Sequence, residues 1–265
     1  MNNKKVSIII KSNRDVSAIS SLLQQNNNNW ECFLVNNSVK NIEQYVINDN
    51  RFKILNYENN LNAINEAIKR SKGQYIVFID SNDILLNDAI NNILCMIDFT
   101  DADIIKYNSQ LLSESLPEVS DRKCIFKYIF NKETILDCAF DNISEFCLKK
   151  EIISEIDAVQ SVSSFLTTAL STAKDMALTK QTYLIKQNYP NISIDDVIDN
   201  YKNNYNKISK NFWIKYFKCI TPIVISETVK TNDKKSFLKF CTSIPLQFIP
   251  LRYRIMCYIL KKTNK

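Results

Sequence analysis

The run GQYIVFIDSND, Gly73 to Asp83, opens on the chain's single glycine and carries an apolar strand, Tyr75 to Ile79, into Asp80, Asn82 and Asp83. A buried strand that ends in carboxylates is costly unless those groups are solvated, paired or holding a cation. In open α/β sheets, ligands bind in the crevice beyond the carboxyl ends of the strands, so position 80 is where a nucleotide or metal is expected. Ser81-Asn82-Asp83 is also ordinary turn composition, and the run taken alone reads first as a polar turn.

Around that run, short β-rich segments alternate with helical periodicity through the first 110 residues, as in a βαβ arrangement with a mainly parallel sheet. Strands are predicted at Val6 to Ile10, Glu31 to Val35, Phe52 to Leu55, Tyr75 to Ile79 and Asp103 to Tyr107. Helical faces are predicted through Val16, Ile19, Leu22 and Leu23, through Leu61, Ile64 and Ile68, and through Leu86, Ala89, Ile90, Ile93, Leu94 and Ile97. Lys11-Ser12-Asn13-Arg14 follows the first strand without the glycines that admit a dinucleotide pyrophosphate, which excludes a dehydrogenase or P-loop reading.

Beyond residue 111 the pattern is chiefly helical. A polar connection, LSESLPEVSD, precedes it, and the spacing of Val162, Phe165, Leu166, Ala169, Leu170, Ala173, Met176 and Ala177 predicts a helix from Val162 to Ala177 with a serine cap. Pro190, Pro222, Pro245 and Pro250 punctuate further helices. The expected organisation is an α/β half over residues 1–110, a mostly helical part of the same domain over 111–200, and a basic helical extension over 201–265.

Composition narrows the chemistry. There is no histidine, so Ser-His and Cys-His nucleophiles are excluded, and eight cysteines without a CxxC pair do not suggest a zinc site. They read as thiols of a reducing compartment. No apolar run reaches the roughly 18 residues needed to span a bilayer, and a cytoplasmic location is expected. The net charge of +6 is uneven: residues 201–265 hold 14 Lys or Arg against Glu227 and Asp233, which leaves the first 200 residues at −6. Aromatic and basic residues interleave in IPLQFIPLRYRIMCYILKK, a composition suited to an anionic membrane surface. Nucleic acid accepts the same charge but leaves the first 110 residues without a role. A solvated basic helix packed on the body is the third alternative.

With strand order and position 80 in hand, residues 4 to 190 resemble a family 2 glycosyltransferase of the GT-A fold. VSIII resembles that family's first strand, SLLQQNNNNWECFLVNN its helix and second strand, and DNRFKILNYENNLNAINEAI its third strand and following helix. GQYIVFIDSND stands where the family has a glycine, a strand and a DXD-type metal motif. SEFCLKKEIISEIDAV with the helix from Val162 resembles its acceptor-side segment. The resemblance implies a Rossmann-type, mainly parallel sheet flanked by helices, followed here by a helical C-terminal extension.

It also implies a donor, a reaction and a site. The donor is a nucleotide sugar, with Mn2+ or Mg2+ bridging its diphosphate and neutralising the leaving group. Asp80 and Asp83 match the outer acidic positions and are expected at the metal, Asp80 also at the ribose, while Asn82 replaces a middle aspartate and weakens the site. Asn36 and Asn37 stand where the family has acidic residues against the base, and Lys11 is placed to meet a donor phosphate. Ser163 and Ser164 fall where the family places a Glu-Asp pair that includes the catalytic base, so the base is unassigned, with Asp157 as a candidate and Glu155 and Glu151 nearby. The implied function is sugar transfer to a glycan or lipid-linked glycan acceptor in cell-surface polysaccharide or lipopolysaccharide synthesis, peripheral on the inner membrane face. The alternative is an inactive relative that binds a glycan or a partner protein.

Overall fold

Apolar runs bounded by polar residues become the inner strands of one mixed sheet. The computed structural model describes residues 6–11, 15–35, 46, 48–57, 59–111, 126–131, 135–136, 143–154, 156, 161–186, 193–231, 233–251, 253–254 and 257–258. Its strands are β1 (Val6–Lys11), β2 (Trp30–Val35), β3 (Phe52–Leu55), β4 (Tyr75–Asp80), β5 (Ile84–Leu85), β6 (Ile104–Leu111), β7 (Phe126–Ile129), β8 (Phe146–Lys149) and β9 (Met176–Lys186). Its helices are α1 (Ser17–Leu23), α2 (Asn60–Arg70), α3 (Ala89–Thr100), α4 (Lys150–Ser154), α5 (Val162–Thr172), α6 (Ile194–Asn204), α7 (Lys210–Thr231) and α8 (Lys234–Ser243). The strands lie in the order β3-β2-β1-β4-β8-β6-β9-β5, with β7 on β9.

The five strands expected from sequence are all present. β1 pairs in parallel with β2 and β4, and β2 with β3. Among the described residues every antiparallel pair involves β5, β7, β8 or β9, the strands whose pattern did not announce them. Residues 111–200, expected mostly helical, therefore supply three strands, and β9 runs through the centre of the sheet's second half.

The helix expected from Val162 to Ala177 stops at Thr172. Ala173 turns extended, and Asp103 and Asp175 then clamp the chain reciprocally: Lys174 N donates to Asp103 Oδ2 at 2.8 Å, and Asp103 N to Asp175 Oδ1 at 2.8 Å. Met176 and Ala177 continue the helical spacing by coincidence, because both are buried as the first residues of β9. Pro222, expected at a helix boundary, sits inside α7.

Strand alternation divides the apolar residues between two cores, one on each face of the sheet. Val6, Ile8 and Ile10 join Tyr75, Val77 and Ile79 under α1 and α3, whereas Ile9, Phe33, Ile76 and Phe78 face α2, α5 and the C-terminal helices. The basic C-terminal region is thus part of the body. Tyr201, Trp213, Phe217 and Phe248 form an aromatic cluster with Tyr201 5.2 to 5.7 Å from the other three ring centroids.

The lone glycine has a steric reason. Its φ is not positive, so conformational freedom is not what position 73 requires. A Cβ there would lie 2.5 Å from Ser7 N, 2.6 Å from Ser7 Oγ and 2.7 Å from Val6 C, closer than atoms approach. The bare backbone instead donates from Gly73 N to Ser7 Oγ at 2.9 Å, and Ser7 Oγ donates to the buried Glu31 Oε1 at 2.8 Å. Glu31 also accepts from Lys72 N and from Lys53 Nζ, the latter at 2.6 Å, and these donors together hold its carboxyl below the usual range despite burial. Gly73→Ala is expected to destabilise the fold by about 1–3 kcal/mol, as forced overpacking does. The denaturant midpoint measures it, and an unchanged midpoint contradicts this account of the glycine.

Candidate functional site

Parallel pairing sets which residues end up together at the carboxyl edge. The β1–β4 register runs from Val6 opposite Tyr75 to Lys11 opposite Asp80, and Lys11 is also opposite Val35 of β2. Lys11 and Asp80 are the exposed final residues of strands otherwise buried throughout, so a cation and a carboxylate lie side by side at the crevice. Asn36 and Asn37 follow Val35 directly in the chain and lie outside the described residues, as do Glu155 and Asp157.

Beyond Asp80 the chain makes a tight turn in which Asp83 N donates to Asp80 O at 3.0 Å, and Ser81 O accepts from Ala18 N at the start of α1 at 3.0 Å. Asn82 is half-buried in this turn. Asp83 is drawn inward, with only 2% of its surface exposed. The β5–β9 ladder pairs Leu85 with Leu184 and Ile84 with Ile185, and its next position sets Asp83 against Lys186. Their Oδ2 and Nζ atoms are 3.6 Å apart, with side-chain exposures of 3% and 5%. Lys186 Nζ also donates to Ser144 Oγ at 2.5 Å. Neighbouring Glu145 accepts from Ser109 Oγ at 2.5 Å and faces Lys106 Nζ at 3.4 Å, which extends the buried polar belt toward β6.

Burial pushes the Asp83 carboxyl up to about 6, the charge of Lys186 opposing the rise and that of Asp80 adding to it. Asp83 Oδ2 is sealed from solvent, and among the described residues the cation it faces is Lys186 Nζ. A hydrated divalent ion needs room for several oxygen ligands and no cation as an immediate neighbour. Asp83, expected as a metal ligand, does not fit that role in this arrangement. Among the described residues no group of three or more His, Cys, Asp or Glu side chains is placed to hold a metal ion.

Ser163 and Ser164, at the start of α5, serve as a joint between helices. Ser163 Oγ accepts from Asn200 Nδ2 at 3.1 Å and Ser164 Oγ from Asn204 Nδ2 at 3.1 Å, with both asparagines fully buried on α6. One turn before Asn200, on the same helix, lies half-buried Asp196, whose N–H is capped by Ser193 Oγ. Burial raises its carboxyl foremost, Asp199 adds to the rise, and the charge of Lys11 opposes it. Glu151 is exposed on α4.

Lys186 and Asp196 did not emerge from the sequence reading. A signal existed for the first, since TYLIK is an apolar run ending in a charge, as YIVFID is; for the second it was the Ser-x-x-Asp cap at Ser193.

The sheet order and its flanking helices define an α/β fold of the GT-A type. The sequence profile of Glycosyl transferase family 2 matches residues 16–153, more than half of the chain, and the chain belongs to that family. A stretch of 108 residues, 38% of this chain, is 31% identical to Glycosyltransferase GlyG of Streptococcus pneumoniae serotype 4 and spans 36% of that relative. The fold is similar to that of S. aureus TarS 1-349 in complex with UDP-GlcNAc, at 14% identity and TM-score 0.70 over 97% of this chain and 87% of that one. Mannosyltransferase PcManGT from Pyrobaculum calidifontis, in complex with GDP-Man and Mn2+, is a more distant likeness at 7% identity and TM-score 0.54 over 77% and 65% of the two chains.

Asp83 is expected to titrate near pH 6 by carboxyl NMR. Because the folded value exceeds the ordinary 3.8, its contribution to stability is fully present below that ordinary value and is lost as pH rises through 6. Lys186→Met, which removes the opposing charge, should move the midpoint higher still. A midpoint near 4 in both proteins contradicts the buried pair.

Proposed function

We propose that the chain transfers a hexose from a nucleotide-diphosphate donor to a glycan or lipid-linked glycan acceptor, in the assembly of a cell-surface polysaccharide or lipopolysaccharide. The observation that carries this reading is the adjacency of Lys11 and Asp80 at the exposed ends of two neighbouring parallel strands. Lys11 supplies a positive charge for a donor phosphate, and Asp80 supplies acceptor oxygens for ribose hydroxyls. The TarS structures of this fold hold UDP-GlcNAc or UDP, which supports a UDP-sugar as the first donor to try. Asn36 and Asn37, continuing from β2, would meet the base.

In an inverting transfer, the acceptor oxygen forms its bond to the anomeric carbon as the bond to the nucleoside diphosphate breaks, and the acceptor's proton passes to a base. Ser163 and Ser164 cannot take that proton at ordinary serine acidity. Asp196 is the better candidate: burial raises its carboxyl above the ordinary value, which strengthens it as a base, and its helix packs on α5 where the family's acidic pair would stand. Asp83, one of the two carboxylates expected at a divalent ion, already faces Lys186.

The acceptor end of the reading is a membrane-bound glycan. Among the described residues no helix is long and apolar enough to cross a membrane. Residues 201–265 carry the excess positive charge, and Ile214, Ile223, Leu251 and Tyr258 are exposed there, which supports contact with the anionic inner face of a membrane. The second reading, an inactive binder of glycans or of a partner, is favoured by one observation: the Ser163–Ser164 position is occupied by a structural hydrogen-bond joint.

Sugar release and transfer from a panel of nucleotide sugars separates the two readings. Asp80→Asn is expected to weaken donor binding about tenfold, roughly 1.4 kcal/mol. Asp196→Asn is expected to lower kcat about 100-fold with donor affinity unchanged. A chain that binds no nucleotide contradicts the transferase reading, and turnover by purified protein eliminates the inactive one.

A further inference from the structure

We propose that Lys186 takes over at Asp83 the role of a bound divalent ion, so that the chain binds its donor without one. The inference deepens the nucleotide-sugar reading and rests on it. Three observations carry it. Asp83 ends the strand-and-turn motif that would hold a metal, yet its carboxylate is sealed from solvent. The neighbour facing it is an ammonium 3.6 Å away, itself nearly buried and anchored on Ser144 Oγ at 2.5 Å. The pair is built into the sheet, because Asp83 and Lys186 are the next cross-strand position of the β5–β9 ladder.

An ion entering this position would have to strip its waters and displace a fixed cation. Lys186 already neutralises Asp83 and so lets a second carboxylate sit beside Asp80 without repelling a diphosphate. The exposed cation beside Asp80 is Lys11, which faces the donor directly. Lys186 is therefore a positioning residue: it fixes the turn and its charge, while Lys11 makes the contact.

Mn2+ uptake by the full chain alone, read as loss of the free-ion EPR signal, tests this without turnover. The wild type is expected to take up no Mn2+ at micromolar concentration, and Lys186→Met, which leaves Asp83 uncompensated, is expected to bind UDP-GlcNAc about tenfold more weakly whether or not Mn2+ is present. Should that variant fail to fold, Lys186→Arg keeps the charge and is expected to match the wild type. UDP-GlcNAc affinity should agree within about twofold between EDTA and Mn2+. Stoichiometric Mn2+ uptake by the wild type, or nucleotide binding that vanishes in EDTA, overturns the proposal. Absence of nucleotide binding together with absence of Mn2+ uptake supports the assignment of Lys186 and defeats the transferase reading instead.

Discussion

The approach of the Gly73 backbone to Ser7 is the contact on which the rest of the site depends. No side chain fits between them, and the hydrogen bonds from Gly73 to Ser7 and from Ser7 to Glu31 tie the start of β4 to β1 and β2 at once. Parallel strands have no tight turn to fix their register, so it must come from such contacts and from the alternation of apolar residues. Once Tyr75 is opposite Val6, the far ends are determined: Lys11 arrives beside Asp80. A one-residue slip would turn Ile8, Ile10, Val77 and Ile79 away from the core they share.

Within four residues of that edge, two aspartates acquire opposite characters. Asp80 ends its strand in solvent, whereas the turn carries Asp83 under the sheet to meet Lys186. A buried ion pair adds little net stability, since desolvating both charges offsets most of their attraction, but removing one partner leaves the other stranded. The pair's value is therefore positional. It attaches the turn after β4 to the end of β9, a strand from the opposite half of the sheet, and leaves Asp80 as the outward-facing carboxylate of the motif.

The parallel half was legible because its strands are buried on both faces and bounded by polar residues, so runs such as VSIII and YIVFI stand out without neighbours. The second half was not. β8 is four residues long, and β9 begins with Met176 and Ala177, whose spacing continues the preceding helix; the Asp103–Asp175 clamp, which joins segments distant in sequence, lies where that helix gives way to β9. Asp80 and Lys11 could be named from their strand ends. Lys186 and Asp196 also carry local signals, a strand end and a helix cap, but what makes them matter, a cross-strand partner for one and the packing of α6 on α5 for the other, is set by segments distant in sequence.

The central claim is that the carboxyl ends of β1 and β4 hold the donor's phosphates and ribose. A crystal structure of the chain with a bound UDP-sugar tests it most directly. The account predicts the diphosphate against Lys11 and the ribose against Asp80, with Lys186 still turned inward onto Asp83. Nucleotide density at any other edge of the sheet, with Lys11 and Asp80 untouched, would contradict it.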